Sequence, residues 1–213
     1  DYVLLSRPQV AREHLADIRA HSKAKVLFYG HDLHYARMQG EFERSKDAGL
    51  LQQAQEMRWI EEQVWRDVDV IYYPAVAETE AVASALPDAV VRTMQPYYFE
   101  PIAVAGESRR RRTSLMFVAG FGHPPNVDAA KWLVEEIFPL VQARVPAATL
   151  ALVGSNPTSE VKALAGGRVR VTGYVSDEVL TGLYADAGVA VVPLRFGAGV
   201  KGKVVEALHH GLP

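Results

Sequence analysis

The sequence predicts an α/β fold built from two Rossmann-like, doubly wound parallel-sheet domains. Short apolar runs of strand length alternate with segments whose apolar residues recur at helical spacing, which is typical of parallel sheets covered by helices. Residues 96–114 interrupt this alternation, and it restarts after them. Several predicted strands end in glycine, a feature of the strand ends where such sheets bind ligands.

The first half of the chain contains four predicted strands and three predicted helices. The strands are expected at residues 2–6, 25–30, 68–74 and 89–94. The helices are expected at residues 9–22, 43–67 and 77–86. Strand and helix follow each other in turn, so the strands are expected to be parallel.

The stretch 96–114 is predicted to contain an interdomain linker. It holds proline, glycine and four consecutive arginines, and it shows no periodicity. We favour a solvated linker over a basic targeting patch for the arginine run. The predicted division is therefore a first domain at 1–105, a linker at 106–113 and a second domain at 114–213.

The second half repeats the alternation. Strands are expected at residues 115–120, 148–154, 168–173 and 189–194, and helices at 127–143, 158–165, 176–187 and 202–211. Asn126 is placed to cap the first of these helices, and Pro139 is expected to bend or break its last turns. The chain begins on a strand and ends after a helix, so both domains are expected to be incomplete in it.

Composition narrows the function classes. The net charge of −2 gives no basic field for nucleic acid, so no nucleic-acid partner is expected. The chain has no cysteine, which excludes disulfides and thiolate metal sites and fits a cytoplasmic location. Its longest apolar runs are too short to span a bilayer.

The first candidate site is the turn GFGHPPN at residues 120–126. Gly120 and Gly122 form G-x-G after a strand, but Pro125 stands where a dinucleotide fingerprint needs a small residue. The nicotinamide interpretation is therefore weak. The two glycines either allow a phosphate or sugar to approach the backbone or form an ordinary tight turn.

The second candidate site is YGHDLHYAR at residues 29–37. His31, Asp32 and His34 follow a strand end, where imidazole and carboxylate groups bind sugar hydroxyls or act as acid and base. We favour a functional role for His31 and a structural role for His34. A metal site is poorly supported, because two histidines three residues apart are common by chance.

The third candidate site is the strand-to-helix turn TGYVSD at residues 172–177, whose backbone amides and carbonyls can read a base edge, although the pattern is hardly more than that of a turn.

The fourth candidate site is the carboxyl-terminal stretch RFGAGVKGKVVEALHHGLP. Gly197, Gly202 and Lys203 spell G-x-x-x-x-G-K, but Val204 replaces the hydroxyl residue that a triphosphate loop uses to bind magnesium. What remains is a glycine-rich helix start with Lys201 and Lys203, which suits a diphosphate without a metal. Glu206, one turn further on, is expected to accept hydrogen bonds from ribose hydroxyls.

These stretches together resemble a known family. In order and spacing, FVAGFGHPPNVDAAKWLVEEIFPLV, LALVGSNP, VRVTGYVSD and VVPLRFGAGVKGKVVEALHHGLP resemble the donor-binding domain of family 4 glycosyltransferases, especially the bacterial branch with a GAGVKGK loop. HDLHYARMQGE at 31–41 resembles the segment of the partner domain that faces the donor sugar.

The resemblance implies a GT-B fold and transfer of a sugar from a nucleoside-diphosphate sugar to a carbohydrate or lipid-linked acceptor. Transfer in this family retains the anomeric configuration and needs no metal or other cofactor. The implied setting is bacterial polysaccharide or glycoconjugate synthesis, in the cytoplasm or at the inner face of the membrane, with peripheral membrane association.

The resemblance also assigns residues. The catalytic group is expected to comprise His31 beside the donor sugar, Asp32, and Lys203 on the diphosphate. The donor-binding group is expected to comprise Gly120, Gly122, Tyr174, Val175, Gly199, Lys201, Lys203 and Glu206. Of these, Tyr174 and Val175 correspond to the main chain that meets the base, and Glu206 corresponds to the second glutamate of the family's E-x7-E pattern.

Two departures from the family pattern leave alternatives open. Ala198 stands where the first glutamate of E-x7-E belongs, and Gly122 and His123 occupy the turn that usually carries Arg and Lys. The alternatives are a GT-B sugar-nucleotide epimerase, a phosphate-loop nucleotide-binding protein, and a non-catalytic binding partner in polysaccharide assembly.

Overall fold

A computed structural model describes residues 1–95, 97–102 and 111–213, with the backbone alone at residues 111 and 112. The chain forms two compact units. The first contains Asp1–Tyr97 and Phe196–Val200, and the second contains Tyr98–Arg195 and Lys201–Pro213. Most of the predicted linker at 106–113 lies outside the described residues, and the predicted domain boundaries stay a prediction.

The first unit contains a parallel sheet of four strands in chain order. The strands are β1 (Tyr2–Ser6), β2 (Lys25–Tyr29), β3 (Val70–Tyr73) and β4 (Val91–Thr93). Leu5 of β1 pairs with Phe28 of β2, and Phe28 pairs with Ile71 of β3. All four carboxyl ends therefore lie at one edge of the sheet.

Four helices belong to the first unit. They are α1 (Pro8–His21), α2 (His34–Ser45), α3 (Ala48–Asp67) and α4 (Val76–Ala85). Buried side chains of α1, α3 and α4, among them Leu15, Trp65 and Val82, pack against Phe28 and Ile71 of the sheet in one apolar cluster.

The predicted helix at 43–67 was wrong in extent, because two helices occupy this region and the second begins at Ala48. Lys46 adopts a left-handed conformation with φ of 58°, which ends α2. Asp47 then caps α3, because its carboxylate accepts a hydrogen bond of 2.9 Å from the Gly49 amide. Most of α2 had not been predicted.

The second unit contains another parallel sheet, with strand order β7-β6-β5-β8. The strands are β5 (Arg111–Val118), β6 (Thr149–Val153), β7 (Val169–Val171) and β8 (Ala187–Ala190). The order runs outward from β5 to β7 and then restarts on the other side of β5 with β8. This reversal between β5 and β8 is the switch point at which such sheets bind ligands.

Two strands of the second unit differ in position from their predictions. Strand β5 begins at Arg111, inside the predicted linker. Strand β8 covers Ala187–Ala190 where residues 189–194 were predicted, so the apolar run extends beyond the ladder. Val192 and Leu194 still pack against the core although they lie outside the strand, which is why the run looked like a strand.

Five helices belong to the second unit. They are α5 (Pro124–Trp132), α6 (Phe138–Arg144), α7 (Ser159–Ala163), α8 (Asp177–Asp186) and α9 (Gly202–His209). The expectation that Asn126 caps the first of them was wrong. Helix α5 begins three residues earlier than predicted, at Pro124 after His123, because proline is preorganised for the first helical position.

The expected effect of Pro139 is visible as a widened turn. A π-helical turn, Leu133–Ile137, joins α5 to α6 directly before this proline. Pro139 has no amide hydrogen and its ring crowds the preceding turn, so a wider turn accommodates it. The helical path therefore continues past the proline.

The described residues confirm the predicted α/β class with two parallel sheets. Each unit also has its own apolar core, as expected when each sheet and its helices form a separate domain. Within the described part of the chain, no helix combines the length and apolarity needed to cross a bilayer.

Candidate functional site

The carboxyl edge of the second sheet gathers the ends of its strands. The Phe121 amide after β5 donates to the Ser155 carbonyl after β6, at 2.8 Å, and the Gly154 amide donates to the Gly173 carbonyl after β7, at 3.1 Å. Gly154 has φ of 141°, and a β-carbon there would lie 1.9 Å from the Ala119 carbonyl oxygen, so only glycine fits. Three strand ends are thereby held together.

Lys203 extends over this edge from the first turn of α9. Its ammonium lies 5.2 Å from the centre of the buried Phe117 ring and donates a 2.5 Å hydrogen bond to Asn126 Oδ1. Burial and, to a smaller extent, the neighbouring charge of Lys201 together lower the pKa of Lys203 to about 8. A cation in this condition is stabilised by any anion that reaches it.

Helix α5 holds the basic side chains on both sides of the glycine-rich segment. Asn126 accepts from Lys203 and donates through Nδ2 to the Gly120 carbonyl at 2.8 Å. Two residues further along the same helix, Asp128 accepts two hydrogen bonds from Arg195, at 2.9 and 2.6 Å. The positions of Lys203 and Gly120 are therefore linked through one amide.

Glu206 faces the interior of the second unit. Burial raises the pKa of Tyr184, and the charge of Glu206 beside the Tyr184 hydroxyl raises it further. The His210 ring stacks on Tyr184, with ring centres 4.4 Å apart. Glu206 is therefore partly buried near aromatic side chains, which differs from the solvated position of an ordinary surface glutamate.

The other predicted donor-binding residues of the second unit lie in turns at the same edge. Gly120 and Gly122 are exposed, and a β-carbon on either would meet only ordinary contacts, at 3.8 and 3.5 Å. Steric crowding therefore does not explain the glycine at position 120 or 122. Tyr174 is 78% exposed in the turn after β7, while Val175 packs partly against the core.

Gly199 belongs to the first unit, unlike the two lysines that follow it. Its φ is 75°, and a β-carbon there would lie 2.9 Å from the His31 carbonyl oxygen. Its amide donates a 2.8 Å hydrogen bond to Glu78 Oε1. Close packing against the turn after β2 is thus a structural reason for this glycine.

The turn after β2 carries His31 at its exposed end. The His31 Nε2 atom lies 3.2 Å from Ser6 Oγ, and its ring packs edge-on against Tyr29 with centres 5.2 Å apart. These contacts orient the imidazole at the carboxyl edge of the first sheet without burying it. His31 thus remains accessible to a ligand at that edge.

Asp32 and His34 belong to a charged network behind His31. Arg37 donates a 3.0 Å hydrogen bond to Asp32, and His34 Nδ1 lies 3.3 Å from the other Asp32 oxygen. Burial lowers the pKa of His34, but its hydrogen bond to Glu61 and the charge of Asp32 raise it, and the net direction is upward. Asp32 is therefore paired with positive groups and His34 is embedded, as the structural interpretation of His34 predicted.

Two buried glutamates complete this turn, and the sequence reasoning missed both. Glu61 has no exposed surface and accepts hydrogen bonds of 3.0 Å from the amides of His34 and Tyr35. Glu78 accepts from the Leu33 amide at 3.1 Å. They satisfy the first amides of α2, which no local residue caps. The position of Glu61 on the buried face of α3, between Met57 and Val64, was the available signal.

The structure thus assembles two groups of predicted residues, each within its own unit. The first unit brings His31, Asp32 and Gly199 together, and the second places Lys203 beside Gly120 with Lys201 nearby. Among the described residues, no three His, Cys, Asp or Glu side chains are grouped so that they could hold a metal ion.

Comparison with solved structures identifies the class of fold. The structure of TarM matches 100% of this chain and 40% of its own, with a TM-score of 0.74 and 13% sequence identity. The pneumococcal O-GlcNAc transferase GtfA in complex with UDP and GlcNAc matches with a TM-score of 0.63 and 14% identity, over 100% of this chain and 41% of its own.

An enzyme of a different reaction shares the architecture. The UDP-forming α,α-trehalose-phosphate synthase from Burkholderia xenovorans matches with a TM-score of 0.66 and 10% identity, over 99% of this chain and 56% of its own. The present chain therefore spans about half or less of each of these structures. The fold is that of the GT-B glycosyltransferases, as the sequence resemblance implied.

The sequence comparison finds a similarity to one family. Residues 112–213 match the family described as Glycosyl transferases group 1. The carboxyl-terminal part of the chain, with Lys203 and the glycine-rich segment, is therefore similar to this family. No curated protein matches the sequence.

Proposed function

We propose that the complete protein transfers a sugar from a nucleoside-diphosphate sugar to an acceptor hydroxyl. The observation that carries this proposal is the partly buried Lys203 ammonium at the switch point of the second sheet, inside the region that matches the glycosyltransferase family. Because parallel sheets bind ligands at this point, an anionic donor is the ligand that this cation favours.

The chemical role of Lys203 follows from where charge grows. As the bond between the anomeric carbon and the phosphate oxygen breaks, negative charge develops on the leaving diphosphate. An ammonium in a low-dielectric position stabilises that charge more strongly than an exposed one. Lys201 adds a second cation near the start of α9. We propose that these lysines replace a metal ion, so that transfer needs no metal.

We propose that His31 contacts the transferred sugar, because it is exposed and oriented by Ser6 and Tyr29. Asp32 is occupied by Arg37 and His34, so we assign it the role of fixing the turn rather than taking a proton. The acceptor hydroxyl attacks the anomeric carbon as the bond to the diphosphate breaks, and its proton passes to the leaving diphosphate. We propose retention of configuration on the family resemblance alone.

The donor and acceptor are proposed by chemistry. GtfA is described with UDP and the trehalose-phosphate synthase as UDP-forming, so a uridine diphosphate sugar is the first donor to test. Ribose would meet Glu206 and the base would meet the turn of Tyr174 and Val175. A carbohydrate or lipid-linked acceptor, a cytoplasmic location and peripheral membrane association complete the proposal.

The test is a thermal-shift panel on the complete protein with UDP, GDP and dTDP and their sugars. With EDTA present, at least one diphosphate is expected to raise the melting temperature, because a ligand that binds the native state stabilises it. The Lys203→Ala variant is the control and should lose the shift. Stabilisation by nucleoside triphosphate with magnesium alone would instead support the phosphate-loop alternative. Product analysis with and without acceptor separates transfer from epimerisation.

A further inference from the structure

Helix α5 treats the two basic side chains beside it in different ways. The Asp128 carboxylate accepts two hydrogen bonds from the Arg195 guanidinium, which also lies 5.0 Å from the centre of the Trp132 ring. The neutral amide oxygen of Asn126 accepts one hydrogen bond from the Lys203 ammonium. One cation is neutralised by its partner and the other keeps its charge.

The amide of Asn126 has a defined orientation. Its Nδ2 atom faces the Gly120 carbonyl, which can only accept, so Oδ1 must be the atom that faces Lys203. A carboxylate at this position would hold the lysine equally close but would compete with an incoming phosphate. A small apolar side chain would leave the lysine unheld.

We propose that Asn126 is the positioning residue of the anion site: it anchors the Lys203 ammonium beside the Gly120 turn without cancelling its charge. This inference deepens the proposed function and rests on it for the identity of the anion. The contact between Asn126 and Lys203, which are 77 positions apart in the chain, is independent of the proposed function.

The charged groups around the contact between Asn126 and Lys203 are Lys201, Asp128 and Glu206, and the two carboxylates lie beside other residues. Lys201 on the preceding turn acts on Lys203 and lowers its pKa. Asp128 on α5 is held by Arg195, and Glu206 on α9 lies beside Tyr184. Among the described residues, the hydrogen-bond partner of Lys203 Nζ is Asn126, so changes at residue 126 should act on this ammonium directly.

The experiment compares Asn126→Asp and Asn126→Ala with Asp128→Asn, which breaks the neighbouring Arg195 pair as a matched control. Affinity for UDP is measured by calorimetry from pH 6.5 to 9.5 with EDTA, at a temperature where all the variants are folded. Asn126→Ala should weaken UDP binding about tenfold at pH 7, the effect of one lost charge-assisted hydrogen bond.

Asn126→Asp should also weaken binding at pH 7, and it should raise the pH at which affinity declines by about one unit, because a carboxylate favours the charged lysine. Asp128→Asn should leave that pH unchanged. The proposal is overturned if Asn126→Asp leaves the pH at which UDP affinity declines unchanged. It is also overturned if Asn126→Ala and Asp128→Asn lose equal UDP affinity.

A second measurement separates this inference from the proposed function. The Lys203 ammonium is titrated by NMR in the ligand-free protein, with Lys203→Arg used to assign its signal. Asn126→Asp should raise the pKa of Lys203 from about 8, and Asp128→Asn should not. If the wild-type protein binds none of UDP, GDP and dTDP, the proposed function fails, and the titration still decides the role of Asn126.

Discussion

The carboxyl edges of the two sheets differ in how their charges are balanced. At the edge of the first sheet, Asp32 pairs with Arg37, and Glu61 accepts from two amides and lies near His34. At the edge of the second sheet, the Lys203 ammonium contacts a neutral amide and an aromatic ring. The first edge is internally balanced, whereas the second carries a positive charge that a ligand can balance.

From this difference we expect changes at the first edge to affect stability and changes at the second edge to affect ligand binding. Removing a charge from the first edge leaves buried partners unsatisfied, which destabilises the fold. Removing Lys203 from the second edge removes a charge that burial already disfavours. Mutations of the paired charges at the first edge should therefore lower stability, whereas mutation of Lys203 at the second edge should lower ligand binding and activity without lowering stability.

The largest expected effect is on turnover at the second edge. Lys203→Met should lower turnover of the complete protein by roughly 30- to 1,000-fold, or about 2 to 4 kcal/mol, because the leaving diphosphate loses its cation. The rise in KM should be smaller, since the charge grows in the transition state. Steady-state kinetics measures both. Normal turnover in this variant would mean that the glycine-rich segment is merely a turn.

The same variant should keep its stability. The pKa of Lys203 is lowered from 10.5 to about 8 on folding, so the unfolded chain binds more protons between these values and stability rises with pH across that window. Below about pH 8 the buried charge opposes folding. Lys203→Met should therefore melt no lower than the wild type at pH 7, and a clear decrease in melting temperature would contradict the comparison.

The next effect is on folding at the first edge. Glu61→Gln should lower the free energy of unfolding by about 2 to 3 kcal/mol, because one amide of α2 loses its buried acceptor. Glu62→Gln is the control on the same helix. Its pairs with Arg58 and Arg66 are at the surface, and their loss should cost less than about 1 kcal/mol. The free energies of unfolding of the two variants are compared by urea unfolding followed by tryptophan fluorescence. Equal losses would show that the hydrogen bonds of Glu61 contribute no more to stability than surface ion pairs.

An exception is expected within the first edge. His31→Ala should lower turnover about 10- to 100-fold with an almost unchanged melting temperature, because His31 is exposed and its side chain contacts only the Ser6 hydroxyl and the edge of the Tyr29 ring among the described contacts. His34→Ala should lower the melting temperature instead, since His34 lies between Asp32 and Glu61. A large loss of stability in His31→Ala would place it with the structural residues.

A moderate effect is expected from pH at the second edge. A bound diphosphate favours the charged lysine, so binding takes up a proton above about pH 8 and affinity should fall by up to about tenfold per pH unit there. Lys203→Arg keeps its charge at all these pH values and should bind with a flat profile. Calorimetry with UDP from pH 7 to 9.5 tests this, and identical profiles would remove Lys203 from the anion site.

Local patterns predicted most strands and helices, and long-range contacts account for what they missed. Helix α2 has a polar sequence with no fully buried residue, so few apolar residues marked it as a helix that packs on a core. Its first amides are instead satisfied by Glu61 and Glu78 from other helices. The glycines and lysines near α9 were found because they are adjacent in sequence, while the role of Asn126 depends on a contact across the fold.

The smallest effect on stability is expected at Gly120, and it tests whether a ligand approaches the second edge. A β-carbon at Gly120 would lie 3.8 Å from Ser155 Oγ, an ordinary contact, and the backbone there is not left-handed. Gly120→Ala should therefore change the free energy of unfolding by less than about 0.5 to 1 kcal/mol, in either direction.

The added methyl group would still occupy the exposed turn beside Lys203 and Asn126. If a diphosphate or sugar packs there, UDP should bind several-fold more weakly to Gly120→Ala. Gly182→Ala is the control, because Gly182 lies inside α8 with open space around its added carbon, and it should leave UDP affinity unchanged. Equal affinities in the two variants would show that the glycine serves the turn alone, and the donor would then have to bind away from Gly120.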